Sequence, residues 1–230
     1  MKKGFTLAEV LITLGIVGIV AVLTIPGVMK NYKNRLYVAQ LEKVYAQIAD
    51  AAQAIMNDEH VDNFYETTAG GADACSDKTN GKCESGPAYF FTKYFKTIKN
   101  NCIKTDKTGC MTSNNSTYKN LAGGAISGMG GFCIQTTSGA AICESYNPAN
   151  KCLSIVVDVN GMAEPNIAGR DIFSMDMHKN GTISDFGSGC ADNANGTAAA
   201  ACGTVTGNGL FGNASGCLTN IIEAGWKMEY

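Results

Sequence analysis

The sequence predicts an α+β protein in which a long N-terminal helix packs on a small antiparallel sheet in a disulfide-rich domain. Three observations predict this class. Residues 5–25 form an apolar run with one charged side chain, Glu9, and an apolar stripe at helical spacing follows the run. Short alternating segments separated by turn residues fill the last hundred residues. All ten cysteines lie between Cys75 and Cys217.

Composition narrows the classes of function. The chain has 230 residues, 45% of them hydrophobic and 17% charged, and its net charge is −2. The hydrophobic share is large enough to bury a core, and it argues against a disordered chain. No strongly basic face is visible, so nucleic-acid binding is not indicated. The two histidines, His60 and His178, and the lack of common catalytic motifs argue against an enzyme. We expect no cofactor.

The N-terminal apolar run predicts a membrane-spanning helix. As a helix, residues 5–25 would rise about 31 Å, enough to cross a bilayer core. A cleaved signal peptide is the weaker alternative, because the run is long and no A-x-A site follows it. Glu9 would cost about 2.5–3.5 kcal/mol at the centre of a span and less towards an end. It is therefore either hydrated near the interface or paired with a cation in an assembly.

Cysteine usage indicates an oxidising compartment. The absence of C-x-x-C spacing favours disulfides over a zinc ribbon, with free thiols or metal ligands as the weaker alternative. Lysines flank the apolar run on both sides, so the positive-inside rule does not orient it; the cysteines place the remainder outside the cytoplasm. Ten cysteines allow about 945 pairings, so the connectivity stays open. Our working hypothesis joins sequence neighbours: Cys75–Cys83, Cys102–Cys110, Cys133–Cys143 and Cys190–Cys202, which leaves Cys152–Cys217.

The segment Gly4-Phe5-Thr6-Leu7-Ala8-Glu9-Val10-Leu11-Ile12 resembles the prepilin signature of type IV pilins and type II secretion pseudopilins. The match covers about the first 30 residues, including a short basic leader, Glu9 and Pro26. The resemblance implies that an aspartyl peptidase cuts between Gly4 and Phe5 on the cytoplasmic side. It also implies that the peptidase methylates the new N-terminal Phe5 and that Pro26 kinks the helix.

The function implied by this resemblance is a structural subunit of a type IV pilus-like filament, polymerised through its N-terminal helix. Cleavage creates an α-amino group on Phe5 with a pKa of about 7.7–8.0, and Glu9 of a neighbouring subunit would pair with it. A subunit out of register would bury an unpaired charge. The implied partners are other filament subunits, the prepilin peptidase, the inner-membrane assembly machinery and the membrane.

The implied location is a single-pass inner membrane protein with an extracytoplasmic C-terminal domain, and later a periplasmic or cell-surface filament. Two alternatives remain open. One is a pseudopilin of a type II secretion or DNA-uptake system. The other is a membrane-anchored extracytoplasmic binding protein that never polymerises, for which Glu9 would be dispensable.

The predicted organisation has five parts in chain order. They are a prepilin leader (1–4), a transmembrane and filament-core helix (5–26), an amphipathic continuation (27–58), a disulfide-rich connecting region with a short helix (59–131), and an antiparallel sheet with a C-terminal disulfide-bounded loop (132–230). Pro26 and Gly27 predict a kink or a melted turn. The buried stripe of the continuation is expected to be Leu41, Val44, Ile48, Ala52 and Ile55.

Within the C-terminal region, a short helix is predicted from Pro87 to Asn100-Asn101, with aromatic side chains facing the core. We expect strands at 132–136, 141–145, 153–159, 173–178 and 182–186. His178 would then lie on a solvated polar face. The tail 187–216 is rich in glycine and alanine and is therefore expected to be a loop. It also resembles the disulfide-bounded C-terminal region of many pilins.

One stretch carries a weak metal signal. Asp158-Val159-Asn160-Gly161 is similar to the start of a calcium loop, but the twelfth position is Gly169 instead of glutamate. Polar turn residues are the default interpretation, and no metal site is assigned. The stretch also resembles part of many pseudopilin C-terminal domains. Since some pseudopilins hold calcium in a late loop, Asp185, Asp192 and Asn193 are candidates by that resemblance.

Overall fold

The computed structural model describes residues 4, 6–106, 108–114, 116–147, 152–187, 202–203 and 209–230. The α+β class is confirmed, and the chain divides into two units, Met1–Leu36 and Tyr37–Tyr230. The described helices are α1 (Leu7–Asp58), α2 (Gly86–Tyr94), α3 (Leu210–Ala214) and α4 (Cys217–Glu223). Two short 3₁₀ turns, Phe64–Glu66 and Thr68–Gly70, follow α1.

The strands are short except in the centre of the domain. In chain order they are β1 (Ala74–Asp77), β2 (Lys82–Ser85), β3 (Thr97–Asn100), β4 (Ile103–Lys104), β5 (Met111–Thr112), β6 (Tyr118–Lys119), β7 (Ala125–Ile126), β8 (Cys133–Thr136), β9 (Ala141–Asn147), β10 (Cys152–Asp158), β11 (Ile172–Met177) and β12 (Ile183–Asp185). Six of them form one antiparallel sheet in the order β12-β11-β10-β9-β8-β3.

Helix α1 is continuous through Pro26, so the predicted melted turn is wrong. A proline in a helix removes its own backbone hydrogen bond to the residue four positions earlier, while the bonds on either side still hold the helical path. A bend at Pro26 stays a prediction. Beyond residue 36, the predicted apolar stripe of α1 is confirmed, since each of its members is at most 1% exposed: Leu41, Val44, Ile48, Ala52 and Ile55.

The short helix begins as predicted but ends early. Helix α2 stops at Tyr94, and Thr97–Asn100 forms strand β3, which pairs with β8. β-branched Thr97 and Ile98 favour an extended backbone, and the edge of the central sheet offers hydrogen-bond partners that a lone helical turn lacks. The aromatic face of α2 packs inward as expected, with Phe90 and Phe91 fully buried.

The prediction that His178 is solvated is wrong. It is 0% exposed, and Ser174 and Asp176 on the same face of β11 are also buried. Helix α3 covers this face, where Ser174 Oγ donates to the Phe211 carbonyl at 2.8 Å. The expected tail loop therefore contains a helix, and the central strands are buried on both faces rather than one.

Four disulfides join described cysteines. Cys75–Cys83, Cys102–Cys110 and Cys133–Cys143 form as the neighbour hypothesis expected. The fourth is Cys202–Cys217, so the expected pairs Cys190–Cys202 and Cys152–Cys217 are wrong. Cys217 begins α4 and is 0% exposed, and tertiary packing rather than sequence proximity brings Cys202 to it. Cys152 is also disulfide-bonded, and Cys190 lies outside the described residues.

Candidate functional site

The first turn of α1 is closed by a reciprocal pair of side chains. The Thr6 backbone N–H and the Thr6 hydroxyl both donate to Glu9 Oε2 at 2.8 Å, and the Glu9 backbone N–H donates to Thr6 Oγ1 at 3.3 Å. This is a capping box, in which a Thr at the N-cap and a Glu three residues later satisfy backbone donors that the helix itself leaves free.

The capping box changes the interpretation of Glu9. Its carboxylate lies at the positive end of the helix dipole and already has two donors in its own chain. Both bonds are accepted by Oε2, and Glu9 is exposed. Our sequence analysis missed the role of Thr6, although the Thr-x-x-Glu spacing before an apolar run is a recognised signal for this motif.

The predicted cleavage position precedes the helix. Gly4 is exposed, α1 begins at Leu7, and a Cβ placed on Gly4 would meet no atom within 4 Å. Phe5 and the basic leader residues Lys2 and Lys3 lie outside the described residues. A bond that precedes regular structure in an open segment is of the kind that proteases reach most easily. The cleavage at Gly4–Phe5 and the methylation of Phe5 stay predictions.

The N-terminal part of α1 has an exposed apolar surface. Large apolar side chains that are more than 40% exposed run along it: Leu7, Val10, Leu11, Ile12, Leu14, Ile16, Val17, Ile19, Val20, Val22, Leu23, Ile25, Val28, Met29, Tyr32 and Leu36. Its best 18-residue window has a mean hydropathy of 2.5 with 0% buried, and by length and composition α1 could cross a membrane. This fits a membrane-anchored protein.

Polar groups inside this surface are satisfied within the helix. Thr13 Oγ1 donates to the Val10 carbonyl at 3.0 Å, and Thr24 Oγ1 donates to the Val20 carbonyl at 2.9 Å. Hydroxyls bonded back to their own helix do not need water, so they are tolerated in an apolar environment. Residues 7–25 can therefore be buried in lipid or among other helices with Glu9 as their single charged side chain.

A second polar group is buried in the central sheet. His178 Nε2 lies 2.6 Å from Ser184 Oγ, and the Asp176 carboxylate is close enough to interact with the imidazole. These residue types can form a nucleophile and base in enzymes. Here His178 is 0% exposed, which gives a substrate no route to its ring. Asp176 also accepts hydrogen bonds from Ser154 Oγ at 2.6 Å and from the Gly187 N–H at 3.0 Å, so we assign the group to the packing of the sheet.

Of the three calcium candidates that the sequence suggested near the C-terminus, the structure describes only Asp185. Asp185 Oδ1 and Oδ2 accept hydrogen bonds from the Gly216 and Thr219 N–H groups, both at 2.8 Å, so Asp185 anchors the start of α4. Asp192 and Asn193 lie outside the described residues. Among the described residues, no group of three or more His, Cys, Asp or Glu side chains could hold a metal ion.

Comparison with known proteins adds one match. Residues 1–25 match the family model described as the prokaryotic N-terminal methylation motif, which is the signature of type IV pilins and pseudopilins. The matched residues contain Gly4, Phe5, the capping box and most of the exposed apolar surface of α1. No curated protein and no solved structure matches the chain. The motif supports a pilin-like or pseudopilin protein that the prepilin peptidase processes.

Proposed function

We propose that this protein is a structural subunit of a type IV pilus-like filament, cut between Gly4 and Phe5, methylated on Phe5 and polymerised through α1. The observation that carries the proposal is the exposed apolar surface of α1 within the methylation motif. An apolar surface of this length is unfavourable in water. A membrane covers it before assembly, and the helices of neighbouring subunits cover it afterwards.

The acidic side chain supports polymerisation over a simple anchor. An anchor needs only apolar length, and an ionisable residue in such a segment makes insertion less favourable. Glu9 lies in the first turn, next to the position where cleavage would create the Phe5 α-amino group. Pairing of Glu9 with the Phe5 amine of a neighbour would neutralise both charges inside the bundle and would set the register between subunits.

The test compares the full chain with a Gly4→Leu variant in the native host. A bulky side chain at Gly4 should block cleavage, so the variant should stay in the membrane. The wild-type protein should appear as large filaments in material sheared from the cell surface. Filaments confined to the periplasm would instead support the secretion or DNA-uptake pseudopilin. A processed wild-type chain that is found only as single membrane-bound copies would contradict polymerisation and would support the anchored binding protein.

A further inference from the structure

A cavity of about 640 Å³ lies beside the C-terminal half of β9, within the unit Tyr37–Tyr230. The segments that line it are the residues before β1, the first turn of α2, the glycine-rich segment between β7 and β8, the end of β9 and the start of α3. Small-molecule sites in proteins usually have volumes of roughly 300–1,000 Å³. The cavity is therefore large enough for a small organic ligand.

One side of the cavity is apolar and fixed in position. Met129 and Leu210 line it and are at most 4% exposed. Phe211 completes this side, and its ring packs against Phe186 with 5.0 Å between the ring centroids. Ser174 Oγ donates to the Phe211 carbonyl at 2.8 Å, which ties the start of α3 to the central sheet. The apolar wall is thus formed before any ligand enters.

The glycine-rich segment leaves space in the wall. A Cβ on Gly131 would lie 2.5 Å from the Glu144 carbonyl oxygen, and one on Gly128 would lie 2.4 Å from the Thr112 carbonyl oxygen. These glycines allow the segment to approach the neighbouring backbone closely. A Cβ on Gly130, which also lines the cavity, would meet no atom within 4 Å. The segment therefore fits closely on the sheet without filling the cavity.

Glu144 is a buried acid in the polar wall. It is 7% exposed, and its Oε1 accepts a hydrogen bond from the Phe132 N–H at 3.3 Å. Among the described residues, no lysine, arginine or histidine lies within 4.0 Å of its carboxylate, and the ion pair that they form is Lys78–Asp73. A buried carboxylate without a cationic partner is unfavourable in its charged form. Glu144 thus lacks a counter-ion in its own chain.

The charges around Glu144 do not balance. Asp73 lines the same cavity; its Oδ1 accepts from the Ala88 N–H at 2.8 Å and its Oδ2 from Lys78 Nζ at 3.1 Å. Burial, followed by the nearby Asp73, raises the pKa of Glu144 to about 7, while the Phe132 N–H, Lys78 and the Tyr146 N–H act in the opposite direction. Two carboxylates therefore share one ammonium group, which is 44% exposed. A cation in the cavity would supply the missing positive charge.

We propose that this cavity binds a small organic ammonium ion, with its charged group at Glu144 and its apolar body against Met129, Leu210 and Phe211. An ammonium group only donates hydrogen bonds and an ionised carboxylate only accepts them, so the two are complementary. A peptide strand is a poorer occupant, because β9 already pairs with β8 and β10 and has no free edge. Two carboxylates in the wall oppose an anion.

The first test is calorimetric titration of the purified full chain in non-ionic detergent micelles, with a micelle blank subtracted. The probe is 2-phenylethylamine, which should bind saturably at pH 8. The neutral analogue 2-phenylethanol should bind at least tenfold more weakly, because it has no charge for Glu144. Since only ionised Glu144 attracts the amine, its affinity should fall roughly tenfold from pH 8 to pH 6.

Variants distinguish the cavity from general attraction of cations. Glu144→Gln keeps an acceptor for the Phe132 N–H and should weaken binding of the amine at least tenfold and remove its pH dependence. The matched control is Glu84→Gln, because Glu84 is an exposed glutamate of β2 that does not line the cavity; it loses the same charge and should keep wild-type affinity. The pH series and the comparison with the alcohol need only the wild-type chain, so they decide the question if Glu144→Gln fails to fold.

The absence of saturable binding above the micelle blank would overturn the proposal. Equal affinity for the amine and the alcohol would also overturn it, since the charge would then play no part. Wild-type affinity in Glu144→Gln, or an equal loss in Glu84→Gln, would contradict recognition by Glu144. All measurements use the purified chain, so their outcome does not depend on filament assembly.

Discussion

Thr6 and Glu9 hold each other at the start of α1: the Thr6 N–H donates to Glu9 Oε2 at 2.8 Å, and the Glu9 N–H donates to Thr6 Oγ1 at 3.3 Å. The acid that we expect to pair with a neighbour is therefore already engaged in its own chain. Assembly would add an ionic partner to a capped carboxylate. The cap needs a hydrogen-bond acceptor at position 9, and the pairing needs a negative charge there.

Glutamine at position 9 separates these two roles. Glu9→Gln keeps an acceptor for the capping box but removes the charge, whereas Glu9→Val removes both. If the charge pairs subunits, both variants should be cleaved normally and both should give at least tenfold less sheared filament. Thr6→Ser, which keeps the cap, serves as the control with normal yield. Filament yield from Glu9→Gln equal to wild type would show that the cap alone matters.

Tyr65 joins two central strands through one hydroxyl. It donates to the Met177 carbonyl at 2.6 Å and accepts from the Leu153 N–H at 2.9 Å. Tyr65→Phe would leave both buried backbone groups without a partner, so we expect a loss of about 2–4 kcal/mol in chemical denaturation. Tyr146→Phe removes the less buried bond to the Gly70 carbonyl, where water can substitute, and should cost below about 1 kcal/mol. Equal losses would contradict this account.

Glu144 should make stability depend on pH. Burial, followed by the nearby Asp73, raises the pKa of Glu144 from 4.5 to about 7. The folded chain then keeps a proton that the unfolded chain releases, so stability should fall as pH rises from 4.5 to 7 and should stay low above 7. Glu144→Gln should remove roughly 3 kcal/mol of that fall.

Denaturation between pH 4.5 and 8 measures this difference. Asp171 and Asp185, whose pKa values burial raises to about 6, contribute with the same sign in both proteins and cancel in the comparison. The variant keeps an oxygen acceptor for the Phe132 N–H, which bonds Glu144 Oε1 at 3.3 Å. Parallel curves for the two proteins would mean that Glu144 is ionised in the folded chain throughout this range.

Gly169 lies directly against the Cys202–Cys217 disulfide. A Cβ on Gly169 would be 2.6 Å from Cys217 Sγ and 3.2 Å from Cys202 Sγ, and its φ is +83°. Gly169→Ala should therefore cost more than about 3 kcal/mol, from backbone strain and from overlap with sulfur. Gly139→Ala, at φ +93° with nothing within 4 Å, isolates the strain and should cost about 1 kcal/mol. If Gly169→Ala and Gly139→Ala lost similar free energies of unfolding, the overlap of the new Cβ with the disulfide sulfurs would be excluded.

The spacing of apolar residues predicted those parts of the fold in which the local sequence pattern matches the tertiary packing. The stripe from Leu41 to Ile55 is buried as its spacing indicates, because a single helix face meets the core. The Thr-x-x-Glu signal of the capping box was also present in the sequence, so Thr6 could have been identified. Three neighbouring cysteine pairs follow from hairpins and short loops that the sequence itself marks.

The remaining features depend on distant segments. Strand β3 forms because β8 offers it an edge, which overrides the helical spacing of its residues. The polar face of β11 is covered at Ser174 by α3, which is too short to show a period, and His178 is buried next to Ser184 of β12. The Cys202–Cys217 bond follows from the docking of α4.

The most direct test is the mass of the N-terminal peptide of the protein recovered from its native membranes and from sheared surface material. The account predicts a peptide that begins at Phe5 and carries one methyl group on its α-amine, with the leader absent. It also predicts this peptide in the sheared fraction. A peptide that retains Met1, or one that begins well beyond Pro26, would contradict prepilin processing and the filament function proposed from it.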